Sequence, residues 1–145
     1  MTGSDPDSYD RTDQRVKMHQ LKFRKLQGRF AVCRLHAGDT FPDGAAAGPL
    51  FSFTRTAHEV SVVCPEAIVP DGVRAELAWV AFELQGPFPF SQTGILASFI
   101  EPLAEAEIPI FTISTFDTDY VLVKEGLLKP ALDALCAAGH QFLGD

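Results

Sequence analysis

At 145 residues, 46% hydrophobic and 21% charged, the chain is sized for one compact domain or two small modules sharing a core. A formal net charge of -7, with no basic stripe, argues against nucleic acid or an anionic membrane as a partner, since both demand a cationic face. Cys33, Cys64 and Cys136 are far apart and form no CxxC pair, which favours buried thiols over a disulfide framework or a zinc site.

In chain order, residues 1–20 are polar and rich in Gly, Pro, Ser and Asp, and are expected to form a mobile tail. They contain no apolar signal core, and no run in the chain has the length of a membrane span, so a soluble, cytoplasmic protein is expected. FAVCRL (30–35) predicts a strand, and AGDTFPDGAAAG a loop with room for one helical turn. LFSFTRT and EVSVVCPE predict two strands joined at Ala57-His58 by a tight turn. AIVPDGVRAE carries a Pro-Asp-Gly turn signal, and LAWVAFELQ predicts a longer strand ended by Gly86-Pro87. In SQTGILASFIEPLAEAE the apolar Ile95, Leu96, Phe99, Ile100 and Leu103 recur at helical spacing. Ser91 or Thr93 is expected to cap that helix, and Pro102 to remove the hydrogen bond to Ser98 and kink it. PIFTIS and DYVLVKE predict a strand pair, LLKPALDALCAAG a second helix with Gly139 as left-handed cap, and HQFL a last strand.

From about residue 80 the predicted order is strand, helix, strand, strand, helix, strand. That is the ferredoxin-like βαββαβ arrangement, an α+β fold with an antiparallel sheet and helices on one face. The expected organisation is a tail (1–20), a degenerate first module (21–80) and a second module (81–145).

Catalysis finds little support. His19, His36, His58 and His140 sit in no nucleophile motif, no His-x-His or HExxH pair sets metal-ligand spacing, and no phosphate loop is present. A non-enzyme without cofactor or metal is expected. What remains is a binding constellation. Ser91, Gln92, Thr93, Gly94 and Ile95 lie at a helix start, where free N–H groups and the helix dipole suit a carboxylate. The predicted hairpin brings Ser114, Thr115, Phe116, Asp117, Thr118 and Asp119 opposite. An anion-binding helix end facing an acidic, hydroxyl-lined turn fits a zwitterion such as an α-amino acid. Each half also has a plain structural reading: Thr93-Gly94 is an ordinary helix start and Asp-Thr-Asp ordinary turn chemistry.

Three stretches, FSFTRTAHEVSVVCPE, GPFPFSQTGILASFIEPLAEAEIPIFTISTFDTDYVLVKE and LLKPALDALCAAGH, resemble the ACT-domain proteins of a small bacterial group. That group is related to the ACT repeats of the animal cytosolic arginine sensors, the CASTOR proteins. The resemblance implies two tandem ACT-like modules that bind an amino acid between them and regulate by association. Carried over by position, the sensors' S-T-F-x-x-D ligand segment implies Thr115, Phe116, Thr118 and Asp119, with Gly94 and its neighbours opposite. The glycine common after the first ACT helix is Glu107 here. The partners so implied are an amino acid and a second copy of the chain, with the downstream protein unspecified. The alternative is a protein-interaction scaffold whose pocket is vestigial.

Overall fold

The computed structural model describes residues 18–42 and 48–145. Positions 1–17 of the expected tail, and 43–47 of the expected loop, lie outside the described residues. The elements are β1 (Lys22–Lys25), β2 (Phe30–Leu35), β3 (Ser52–Arg55), β4 (Val60–Pro65), β5 (Arg74–Leu84), α1 (Ile95–Glu105), β6 (Phe111–Ser114), β7 (Asp119–Lys124), α2 (Leu128–Ala137) and β8 (Gln141–Phe142). The βαββαβ order from β5 onward is as expected.

All eight strands join one sheet, organised on β5. Its first part pairs with β2 (Arg34 opposite Arg74, Phe30 opposite Trp79), its last part with β1 (Phe23 opposite Leu84), and residues from Trp79 to Glu83 with β7. The register against β2 slips between Phe30 and Val32, where Ala78 takes φ 64°. A bulge of this kind adds one residue and bends the strand, so the sheet turns where its two parts meet.

Two sequence expectations need correction. The KFRK segment was not foreseen as a strand, yet β1 lies between β5 and β8, where the simple ferredoxin-like order would pair those two directly. The sheet is also not wholly antiparallel, because β1 and β8 run parallel (Phe23 opposite Phe142). The reason is packing. Phe23 is fully buried and its ring meets Phe82, Phe99 and Phe142 at centroid distances of 5.1–5.2 Å. Burying one such ring stabilises by roughly 1.5–3 kcal/mol, enough to hold a short strand.

Both helices cover one sheet face. Ile95, Phe99 and Leu103 of α1 and Ala131 and Leu135 of α2 pack on Val80, Phe82, Leu84, Val121 and Val123. The alternate residues Trp79, Ala81 and Leu122 form a second cluster with Phe30, Leu50 and Val63. Among the described residues, those before β5 contain no α-helix, only a short helical turn at Glu66–Ile68. No helix among the described residues is long and apolar enough to cross a membrane.

Cys33 and Cys64 are buried as expected, but Cys136 is exposed, on the outer face of α2. Burial pushes the Cys64 thiol up to about 12, and raises that of Cys33 as well. Both stay protonated and inert.

Candidate functional site

The polar run after β6 folds on itself before it offers anything to a ligand. The Thr115 N–H and hydroxyl both donate to the Thr118 carbonyl, at 2.8 and 3.1 Å, and the Thr118 N–H donates to Thr115 Oγ1 at 3.3 Å. Ser114 Oγ donates to Asp119 Oδ1 at 2.5 Å. Thus much of the run does serve the turn. The loop after β5 is fastened to it: Thr118 Oγ1 donates to the Leu84 carbonyl and the Phe88 N–H to the Asp117 carbonyl, both at 2.8 Å. Gly86 is required there, since a Cβ would come within 2.8 Å of the Asp117 carbonyl oxygen.

These bonds shape an open cleft of about 210 Å³ between the hairpin and the approach to α1. Gln92, Ile95 and every residue from Ser114 to Asp119 line it, so the structure joins the two halves named from the sequence. Ser91, Thr93 and Gly94 do not line it. No side chain caps α1; the expected caps Ser91 and Thr93 are not used. Gly94 itself is the N-cap, at φ 83°, a conformation that favours glycine for backbone reasons alone. The first-turn N–H groups are therefore left without a side-chain acceptor.

Phe88, Pro89 and Phe90 also line the cleft, and the sequence reading missed them. Phe90 and Phe116 stand edge to face at 4.7 Å, 77% and 78% exposed. The signal lay in the run Gly-Pro-Phe-Pro-Phe, whose two apolar rings belong to neither a strand nor a helix. On the far side of the hairpin, Tyr120 donates to Glu83 Oε2 at 2.8 Å. Burial, that bond and the charges of Glu83 and Asp117 push the Tyr120 phenol up to about 12.

A second polar cluster sits behind α1. His140 is 5% exposed, its Nδ1 accepting from the Leu21 N–H at 3.0 Å and its Nε2 meeting the Ser98 carbonyl at 2.9 Å. The Leu21 bond requires Nδ1 to be unprotonated, so the proton lies on Nε2. Ser98 offers the very carbonyl that Pro102 leaves without its helical partner. Ser98 Oγ accepts the His19 N–H at 2.8 Å and donates to the Gly94 carbonyl at 2.6 Å. His19 and His140 thus tie the start of the described chain and β8 to α1. Among the described residues no cluster of three metal-capable side chains occurs.

Protein Atu0741 of Agobacterium tumefaciens, a solved structure, is 40% identical over 88% of this chain and 95% of that one, with a TM-score of 0.82. The chain belongs to the same family. A family model for the ACT domain matches residues 74–137 of this Atu0741-family protein, from the start of β5 to the end of α2. A separate model for an N-terminal domain matches residues 28–72. At the level of fold alone, the chain is similar to the regulatory subunit of aspartate kinase from Thermus thermophilus, in its ligand-free form (TM-score 0.54, 13% identity, 86% of this chain and 97% of that one). It is similar in the same sense to aspartate kinase of Clostridium acetobutylicum (TM-score 0.61, 12% identity, 88% of this chain and 36% of that one).

Proposed function

We propose that this Atu0741-family protein is a non-catalytic regulatory protein that binds a small amino acid, or a similar zwitterion, in the cleft between α1 and the β6–β7 hairpin. The observation that carries the reading is the convergence of Gln92, Ile95 and the whole segment Ser114–Asp119 on one cleft. The uncapped first turn of α1 suits the ligand carboxylate. Asp117 and Asp119 suit its ammonium group. Asp119 is already oriented by Ser114, which leaves its second oxygen for a cation. The ACT-domain match supports the same class of role, as regulatory ACT modules bind amino acids. Kinship with the animal arginine sensors, division into two ACT-like modules (21–80 and 81–145) behind a tail (1–20), a cytoplasmic setting and homodimer formation all belong to this proposal.

A second reading has its own observation. Phe90 and Phe116 are large, exposed and adjacent at the cleft mouth. A scaffold that docks a protein on these rings, with the cleft vestigial, would also expose them.

Thermal shift against the twenty amino acids separates the two, since a ligand selective for the native state raises the melting point. Calorimetry on wild type and Asp119→Asn then tests the site. Loss of the carboxylate removes a charge-assisted bond of roughly 1.5–3 kcal/mol, an affinity loss of about ten- to a hundredfold. Equal affinity in both proteins rejects the site, and no shift with any amino acid rejects the sensor reading.

A further inference from the structure

The other half of the sheet places two arginines against each other. Arg34 on β2 and Arg74 on β5 are directly opposed in the antiparallel ladder. Opposed residues project from the same face with Cβ atoms about 5 Å apart, and like charges in that position destabilise the pair. A neighbouring carboxylate would relieve the repulsion. Among the described residues none lies within ion-pair distance of either guanidinium: the ion pairs found engage Lys25, Arg29, Lys124 and Lys129. The nearby acids are occupied elsewhere or stand apart. Asp39 Oδ2 accepts the His36 N–H at 3.0 Å, Glu76 meets Lys124 at 3.4 Å, and Glu59 lines the cleft without reaching either arginine.

Both arginines line two adjoining clefts, of about 240 and about 270 Å³. The first also has Val32, Ser61 and Phe111 in its wall, so a cationic pair with a hydroxyl nearby adjoins an apolar surface. Guanidinium forks match the paired oxygens of carboxylate and phosphate and bind them bidentately. We propose that Arg34 and Arg74 form a binding site for a small organic oxyanion, its carboxylate or phosphate head on the two forks and its apolar body against Val32 and Phe111. Glu59 and Glu76 on the same cleft repel a second anionic group, so the ligand has one charged head. This site involves no residue of the hairpin cleft and does not depend on what that cleft binds.

The test uses the full chain and three probes: phenyl phosphate, benzoate and inorganic phosphate, at constant ionic strength with sodium chloride as control. Arginine side-chain N–H signals are followed by NMR. Phenyl phosphate or benzoate should shift Arg34 and Arg74 together and saturably, and whichever binds identifies the head group. Either Arg34→Gln or Arg74→Gln should weaken that binding about tenfold or more, while Glu59→Gln should tighten it. Arg34→Lys keeps the charge and loses the fork, and should fall between wild type and Arg34→Gln. A response no different from that to chloride, or one that survives in both glutamine variants, overturns the site. Inorganic phosphate binding as tightly as phenyl phosphate overturns the role of Val32 and Phe111.

Discussion

Helix α1 separates two polar clusters that use similar side chains to opposite effect. Behind it, His140 and Ser98 are 5% and 2% exposed, and both ring nitrogens, the serine hydroxyl and the proline-orphaned carbonyl of Ser98 are all partnered. In front, Ser114–Asp117 are exposed and only part of the cluster's capacity is used within the turn. The difference teaches where binding potential resides. A polar group buried away from water must be satisfied by the protein itself, or it costs about 1–3 kcal/mol. The polar atoms of the rear cluster are therefore spent on the fold, although Ser98 and His140 also line an open cleft of about 540 Å³ together with His19 and Pro102. The front cluster, solvated on one side, keeps acceptors to spare.

The largest expected effect belongs to the core behind α1. Phe23→Ala removes the ring around which Phe82, Phe99 and Phe142 are arranged, and should cost about 3–5 kcal/mol in urea unfolding. A cost below about 1 kcal/mol would show that β1 is not integral to the sheet and that the rear cluster has no strand to hold.

His140→Ala sharpens the contrast directly. It strands the Leu21 N–H and the Ser98 carbonyl in a buried place, and should cost about 2–4 kcal/mol. Ser114→Ala removes a hydrogen bond in water, and should cost under about 1 kcal/mol. Equal costs for the two variants would erase the distinction between the clusters.

That distinction also explains what the sequence could reveal. The strand and helix periods after residue 80 are strong and local, and so is the contiguous polar run from Ser114 to Asp119, so both were legible. In KFRK only Phe23 is buried; one apolar residue makes no pattern, and its partners Leu84 and Phe142 are far along the chain. The sequence places His140 only at the start of the last strand, HQFL, and in no motif. Yet Pro102 already implied an orphan carbonyl at Ser98, and a buried carbonyl needs a donor; the pairing of the two needed the fold. Phe88 and Phe90 went unnoticed because apolar residues in a Pro-rich loop announce burial, whereas Phe90 is left in solvent by its tertiary setting.

A smaller effect tests the far side of the hairpin by pH. Tyr120 donates to Glu83, and its phenol is raised from 10 to about 12, chiefly by burial and then by that bond. A folded-state value above the unfolded one means the contribution is complete below about pH 10 and is lost as pH climbs through about 12. Tyr120→Phe should cost about 1 kcal/mol at neutral pH. Its disadvantage against wild type should vanish across that alkaline window, as read by paired urea midpoints. A difference that stays constant from pH 8 to pH 12 would mean the phenol titrates alike in both states.

The smallest effect concerns the far end of α1, where α2 provides an internal control. Both helices close with the same pair of bonds: Glu107 N–H to the Ala104 carbonyl and Ile108 N–H to the Leu103 carbonyl after α1, Gly139 N–H to Cys136 and His140 N–H to Leu135 after α2. This closure places one residue in the left-handed region. After α2 that residue is glycine, at φ 96°; after α1 it is Glu107, at φ 59°. The fold thus keeps the backbone form that glycine serves, with a side chain that strains it by about 1 kcal/mol. Glu107→Gly relieves the strain but loosens the unfolded chain, so the net gain should be about 0.5 kcal/mol. Gly139→Ala should go the other way and further. It adds the same strain, and its Cβ would also press on the side chain of Gln20, whose Cδ lies 2.9 Å from that position. Since Gln20 adjoins Leu21, whose N–H is bonded to His140, that push is delivered to the rear cluster itself. If the two substitutions shift the urea midpoint by equal and opposite amounts, backbone strain alone sets both effects, and the contact between Gly139 and Gln20 contributes nothing.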